Sequence, residues 1–271
     1  MKFITKNNPI VCYLFTCFDN IDSIINFKNN YLKFNSGFSH NLVICFKLLN
    51  QKQITNIIKE LSDLEFINFV DPYNENDFDF GTYKRVAELY HDKQIFFLNS
   101  HSYPICENWL LKLMSNSGNN ILIGTSASNE SLLDSFKLKK KYKIFSYLFS
   151  KMRLKRKFNI FPNPHLRTSS FLIKGDKLFD YLKYIKIQNK EDAWEIESGK
   201  QSLTNYFRKN NFDIFVINSD GSKFTEDNWI YSETYCYSKQ LKSIISDKHT
   251  RKYLALSEKD QISTQFKVWG K

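Results

Sequence analysis

The chain has 271 residues, enough for one large α/β domain with a substantial core or for two small ones. Hydrophobic residues make up 42% and aromatics 16%, with only 8 Gly and 5 Pro, which excludes disordered, collagen-like and linker compositions. The net charge of +11 attracts anions, whether nucleotide phosphates, nucleic acid or an acidic membrane face, but a Lys-rich composition alone produces it, so charge is informative only where it clusters.

Residues 10–15 (IVCYLF) read as a buried strand and 41–46 (NLVICF) as a second. Ile54, Ile57, Ile58 and Leu61 follow the i, i+3, i+4, i+7 spacing of an amphipathic helix. A third strand is expected at 66–70, a helix through Tyr83, Val86, Ala87 and Tyr90, and a fourth strand at 94–98. The next helix is placed near Pro104, which suits a first helical turn, with Ile105, Trp109, Leu110 and Leu113 inward. A fifth strand is expected at 120–124. Beyond residue 130 come a strand at 168–173, helices near 176–185 and 200–209, a strand at 213–217, and a polar, aromatic tail from 222 to 271. Strands alternating with helices imply a mixed, mainly parallel sheet covered on both faces, a Rossmann-like α/β class, with ligands beyond the carboxyl ends of the strands. No Pro-, Gly- or Ser-rich linker divides the chain. The expectation is one domain over 1–271, with a nucleotide-binding half at about 1–130 and an acceptor-binding half with a C-terminal elaboration at about 131–271.

The five cysteines include no CxxC pair, and Cys12 and Cys45 lie in apolar runs, as small buried hydrophobes of a reducing cytosol do. Lys2 and Lys6 before the apolar stretch 10–18 imitate a signal peptide, but no small-x-small cleavage site follows and a first strand fits better. No stretch approaches the roughly 18 apolar residues of a membrane span. The expected location is the cytoplasm, with contact to the inner face of the membrane.

Three clusters carry candidate chemistry. In the first, 71–83 (DPYNENDFDFGTY), Asp79 can hold a ribose hydroxyl or a base imino group and Gly81 permits a tight turn. Asp79 or Thr82 can equally cap a helix. The second, Asn99, Ser100 and His101, ends the fourth strand and suits a diphosphate or sugar hydroxyls, or a turn with a cap at Ser102. The third holds His165 and Arg167 before a strand, then Glu191, Asp192, Glu195 and Glu197 within seven positions, beside Trp194 and Lys200. Cations with carboxylates suit an anionic leaving group and a hydroxyl nucleophile, and a solvated helix start uses the same residues.

The order of these clusters resembles a bacterial group of GT-A glycosyltransferases distantly related to the rhamnan-synthesis and lipopolysaccharide glycosyltransferases. The resemblance runs through Asp77 to Tyr83, Leu98 to Ser100, Pro164 to Phe171 and Glu191 to Thr204, over about residues 8–235. It implies a GT-A-like fold and transfer of a sugar from a nucleotide-sugar to a glycan or lipid-linked acceptor in cell-surface polysaccharide synthesis. It also implies a catalytic base at Asp192, in the Glu-Asp pair, with Glu197 ranked second because a carboxylate beside Lys200 can be held in an ion pair. Donor binding would fall to Asp79, Gly81, Asn99, Ser100, His101, Arg167 and Lys200, and acceptor binding to His165 and Trp194. Many GT-A enzymes carry Asp-x-Asp at the fourth strand end to bind a divalent metal. Here Asn99-Ser100-His101 stands there, a poor sole ligand set for Mg²⁺ or Mn²⁺. Either the metal is held differently, or His101, His165, Arg167 and Lys200 stabilise the leaving diphosphate. The departure keeps a non-catalytic carbohydrate- or nucleotide-binding relative as an alternative.

Residues 137–157 contain ten Lys or Arg and no acid around an apolar middle, a pattern for an anionic membrane surface or a plain basic loop. A basic nucleic-acid-binding protein is the remaining alternative. No RRM, KH or zinc pattern appears, so nucleic acid is not the expected partner.

Overall fold

A computed structural model describes residues 8–136 and 144–271. In chain order the first half contains β1 (Ile10–Thr16), α1 (Ile21–Lys33), β2 (Asn41–Lys47), α2 (Gln51–Glu60), β3 (Ile67–Val70), α3 (Phe78–Leu89), β4 (Gln94–Leu98), β5 (Tyr103–Pro104), α4 (Trp109–Met114), β6 (Ile121–Gly124), β7 (Ala127–Ser128) and α5 (Leu132–Ser135). The second contains α6 (Ile144–Lys157), β8 (His165–Leu166), β9 (Ser170–Lys174), α7 (Gly175–Leu182), α8 (Lys190–Ser198), α9 (Leu203–Lys209), β10 (Asp213–Ile217), β11 (Lys223–Phe224), β12 (Ile245–Ser246), α10 (Lys248–Leu254) and α11 (Glu258–Trp269).

Eight strands form one sheet in the order β11-β10-β6-β9-β4-β1-β2-β3. β4, β1, β2 and β3 run parallel, β6 pairs parallel with β10, and β9 lies antiparallel between β4 and β6. This is the mixed, mainly parallel α/β sheet that the sequence pattern implies. The alternation along β1 explains its burial on both sides. Ile10, Cys12 and Leu14 pack with Tyr83 and Val86 of α3 and Leu178 of α7, whereas Val11, Tyr13 and Phe15 pack with Phe27 of α1, Ile54 of α2 and Trp109 of α4. Fully burying each such aliphatic side chain stabilises by about 1.5–3 kcal/mol. The Cys12 and Cys45 thiols meet across β1 and β2 at 3.5 Å, unbridged in the core.

The expected strands at 10–15, 41–46, 66–70, 94–98 and 120–124 are β1, β2, β3, β4 and β6, with ends shifted by at most one residue. The helix expected from Pro104 begins instead at Trp109. Tyr103 and Pro104 are taken by antiparallel pairing with Ser246 and Ile245, and the Ile105 N–H donates to the Ile244 carbonyl at 3.0 Å. The tail is not an irregular appendage. Trp229 and Trp269 are buried, and α10 delivers residues to the sheet edge described next. Of the basic segment 137–157, residues 144–157 form α6 and 137–143 lie outside the described residues. Among the described residues no helix is long and apolar enough to cross a membrane.

Candidate active site at the carboxyl edge of the sheet

The parallel strands β1 and β4 end side by side, and their turns are locked together. The Asp19 carboxylate, past the end of β1, accepts from the Thr16 N–H (2.9 Å) and hydroxyl (2.6 Å) on Oδ2 and from the Ser100 hydroxyl (2.7 Å) on Oδ1. The buried Tyr13 hydroxyl donates to the Ser100 carbonyl at 2.6 Å. His101 Nε2 stands 3.5 Å from Asp19 Oδ1. Burial lowers the His101 pKa, and Lys248 and Arg251 add to this against the pull of Asp19, so the ring is neutral near pH 7.

Asp79 enters from the first turn of α3. The preceding Phe78 has φ +54°, an unfavourable left-handed conformation for an aromatic residue, with its N–H donating to Asn76 Oδ1 at 3.1 Å. The Asp79 carboxyl is pushed up to about 6 by burial first, then by Asp19, with Glu197 adding a smaller push against Lys47. Carboxylates from distant parts of the sequence, Asp19 and Glu197, thus lie close enough to Asp79 to act on its charge.

The opposite wall carries cations. A cavity of about 320 Å³ is lined by His165, Arg167, Trp194, Glu197, Tyr235 and His249 among others. His165 Nδ1 lies 2.7 Å from the Asn163 carbonyl, which can only accept, so Nδ1 carries the proton. Burial holds the ring below its ordinary pKa despite Glu197, and neutral His165 therefore keeps an acceptor lone pair on Nε2. Glu197 Oε1 accepts weakly from the Thr168 N–H at 3.4 Å. Arg167 is buried, 2.7 Å from Asp247 Oδ2 and stacked 3.8 Å from the Tyr235 ring centroid. Asp247 caps α10 by accepting from the N–H groups of His249 and Thr250, and also takes the Ser169 hydroxyl at 2.9 Å. Burial alone would raise its pKa, but Arg167 and these hydrogen bonds hold it well below the usual carboxylate range. Arg251 donates to the His101 carbonyl at 3.1 Å, tying α10 back to the end of β4.

Of the residues singled out from sequence, the structure brings Asp79, Ser100, His101, His165, Arg167, Trp194 and Glu197 to this edge. Others serve elsewhere. Asp192 is a cap rather than a cleft residue: it accepts from the N–H groups of Gln188 (3.0 Å) and Asn189 (3.2 Å) and pairs with Lys157 at 3.4 Å. Five helical positions separate it from Glu197, so the two point to different faces of α8. Lys200 is exposed and donates to the Lys155 carbonyl at 2.7 Å, away from the diphosphate role expected of it. Gly81 packs against the Asp77 carboxylate, where a Cβ would come within 2.1 Å, so its role is steric. The Asn99 side-chain oxygen is occupied by the Ser102 hydroxyl (2.6 Å) and the His101 N–H (3.2 Å), which leaves only its amide N–H groups for a ligand. Sequence reasoning missed Asp19, Asp247, His249 and Arg251. Asp19 directly follows a strand end and was findable; the α10 residues gain meaning only from contacts 80 and 150 positions away.

A divalent metal was one option for this edge. Among the described residues no group of three or more His, Cys, Asp or Glu side chains is gathered to hold an ion. With the Asn99 oxygen and the Asp19 carboxylate already engaged, this donor set does not fit a self-contained metal centre.

No family model matches the chain, and no curated protein matches it. Solved structures that resemble it include the glycosyltransferase GlyE of Streptococcus pneumoniae TIGR4, at 12% identity and TM-score 0.45, over 77% of this chain and 45% of GlyE. A second is the mannosyltransferase PcManGT of Pyrobaculum calidifontis, solved with GDP-Man and Mn²⁺, at 6% identity and TM-score 0.43, over 78% of this chain and 55% of that one. A third is the mannosyltransferase Ktr4p of S. cerevisiae, at 11% and 0.39, over 72% of this chain and 61% of that one. The chain thus spans less than half the length of GlyE. With every one of these TM-scores below 0.5, the functional argument rests on the site itself.

Proposed function

We propose that the chain transfers a sugar from a nucleotide-sugar donor to a hydroxyl of a glycan or lipid-linked acceptor, in the synthesis of a cell-surface polysaccharide. The observation that supports this reading best is the convergence of Asp79 and Glu197 with neutral His165 and the cations of α10 at the carboxyl edge of a mixed sheet. Glu197 is the one carboxylate of α8 without a cationic partner among the described residues. It accepts the proton of the acceptor hydroxyl while that oxygen attacks the anomeric carbon. The bond from the anomeric carbon to the diphosphate breaks, and the nucleoside diphosphate leaves with the electron pair. His101, His249, Lys248 and Arg251 offer hydrogen bonds or positive charge for the leaving group, and Arg167 positions α10 through Asp247. Asp79 addresses the nucleoside, the Asn99 amide the diphosphate, and His165 with the Trp194 ring the acceptor sugar.

The test is a thermal-shift series with UDP, GDP, CMP and dTDP, each with and without Mn²⁺, followed by donor hydrolysis. Stabilisation by one nucleotide, with hydrolysis of its sugar conjugate, is expected. Stabilisation without hydrolysis or transfer to any acceptor would point to the non-catalytic relative. Binding of RNA alone would overturn both.

A lipid-linked acceptor would bring the chain to an anionic membrane surface, and α6 supports this. Phe145, Leu148, Phe149 and Met152, spaced i, i+3, i+4, i+7, are 77%, 49%, 76% and 60% exposed, while Leu154 packs on Leu133 in a small buried cluster. Unsatisfied apolar surface beside Lys155 and Arg156 suits headgroups and acyl chains together. Binding to anionic vesicles is expected and falls as salt rises, with Phe145→Ser/Phe149→Ser abolishing it. Equal binding to neutral vesicles, or no change in that variant, would leave α6 as a basic surface helix.

A further inference from the structure

A second cavity, of about 960 Å³, opens beside Asp77, two residues before the cleft residue Asp79. The loop after β3, Lys84 and Arg85 of α3, and residues 183–188 between α7 and α8 form its walls. Its volume lies at the upper end of the range for small-ligand sites, ~300–1,000 Å³. Its chemistry is unlike that of the cleft. The cations Lys84, Arg85, Lys183 and Lys186 face two acids, Glu75 and Asp77. Asp77 is already neutralised by buried Lys47 and by Arg85, and Lys183 pairs with Asp180 at 2.7 Å. Lys84 and Lys186 have no carboxylate partner among the described residues. The floor carries a further unmet group, the buried Nε of Arg85, which has no acceptor. Two rings flank these charges: Tyr73, stacked 5.2 Å from the Arg85 guanidinium and 43% exposed, and Tyr184, 86% exposed.

Exposed aromatic faces beside unpaired ammonium groups match the two surfaces of an acidic sugar, an apolar ring face and a carboxylate or phosphate substituent. Residues 183–188 lead into α8, which carries Trp194 and Glu197 to the other cavity, so one element contributes to the walls of both. We propose that this cavity binds an anionic stretch of the glycan acceptor, with Tyr73 and Tyr184 against its rings and Lys84 and Lys186 on its acidic groups. Naming that glycan the acceptor rests on the glycosyltransferase reading; the binding does not.

Fluorescence polarisation of a labelled uronic-acid oligomer and a neutral glucose oligomer, without donor, tests it. The acidic oligomer is expected to bind about tenfold tighter or more, and to weaken clearly between about 50 and 300 mM NaCl. Lys84→Gln/Lys186→Gln should lose about tenfold and Tyr184→Ala several-fold, with Tm little changed because the two lysines hold no ion pair among the described residues and Tyr184 is 86% exposed. Equal affinity in the double variant, equal binding of the neutral oligomer, or full displacement by millimolar inorganic phosphate would overturn a glycan site. Because no donor is present, failure of donor hydrolysis leaves the binding result standing, and failure of binding leaves catalysis standing.

Discussion

The carboxylates at the start and middle of α8 and those of the cleft are the same chemical groups in opposite settings. Glu191, Asp192 and Glu195 lie against α6, where Arg153 meets Glu191 at 2.7 Å and Lys157 reaches all three within 3.5 Å. Asp79 is instead buried, with Asp19 and Glu197 adding to the push of burial against Lys47, and its carboxyl rises to about 6. Each α8–α6 ion pair is partly exposed and adds only a fraction of a kcal/mol, about 0.2–1. The charged form of Asp79 is therefore disfavoured in the fold, and a ligand carrying donors would relieve it. A carboxylate held in direct ion pairs fixes two helices; Glu197, facing Arg167 across a cavity without pairing to it, is available to react.

The sharpest way to break this contrast is to neutralise one acid from each group. Glu197→Gln should cut turnover by about 10²–10⁴-fold while the nucleotide thermal shift survives. Asp192→Ala should leave turnover within about threefold but lose its half of the capping box with the N-cap Asn189, up to ~1 kcal/mol in urea denaturation. The reverse pattern would return the base to Asp192 and make the α8–α6 ion-pair cluster the reactive region.

Next comes a deeply buried, paired acid of the cleft wall, Asp247. Asp247→Ala leaves Arg167 buried without its carboxylate, and urea denaturation should report a loss of about 3–5 kcal/mol. Replacing Arg167 with Met in the same chain should recover part of that loss. No recovery would mean that the α10 cap, not the ion pair, is the dominant contribution of Asp247.

The smallest effect concerns Asp79. Its folded-state pKa of about 6 lies above the ordinary carboxylate value, so the folded protein binds the extra proton. Stability is therefore fully present at low pH, falls as pH rises from about 4 to 6, and stays lower above that. Asp79→Asn should raise Tm at pH 7.5 by about 2–4 °C, corresponding to ~1 kcal/mol for a partly exposed group. The gain should vanish near pH 4. A constant difference across that window would remove the disfavoured charge of Asp79 from the argument.

Much of the sheet was legible because β1, β2, β4 and β10 are short apolar runs at regular spacing, and burial on both faces demands such runs. The Pro104 helix was misread because a local rule for first turns lost to a strand pair with residues 245–246. At the site, local patterning identified the acidic segment before α9 but ranked Asp192 ahead of Glu197, whereas Asp192 is the one engaged by Lys157 and the α8 start. Choosing Glu197 over Asp192 depends on where Lys157 lies, 35 positions from Asp192. The α10 residues carried no local signal, since SDKHTR reads as any capped, polar helix start.

The bond between Arg167 and Asp247 also sets an order of events. It joins residues 80 positions apart, and Arg251 reaches the His101 carbonyl across 150. On a growing chain the strands β1, β4 and β9 can pair long before α10 exists. The cleft then has its acidic wall and a buried, unpaired guanidinium, with no cationic wall to complete it. Closing such long intervals is entropically slow, and contacts of high sequence separation dominate folding times. A nascent or truncated chain ending before Asp247 therefore has the sheet strands but lacks the counter-charge of Arg167 and the tie from Arg251 to the end of β4.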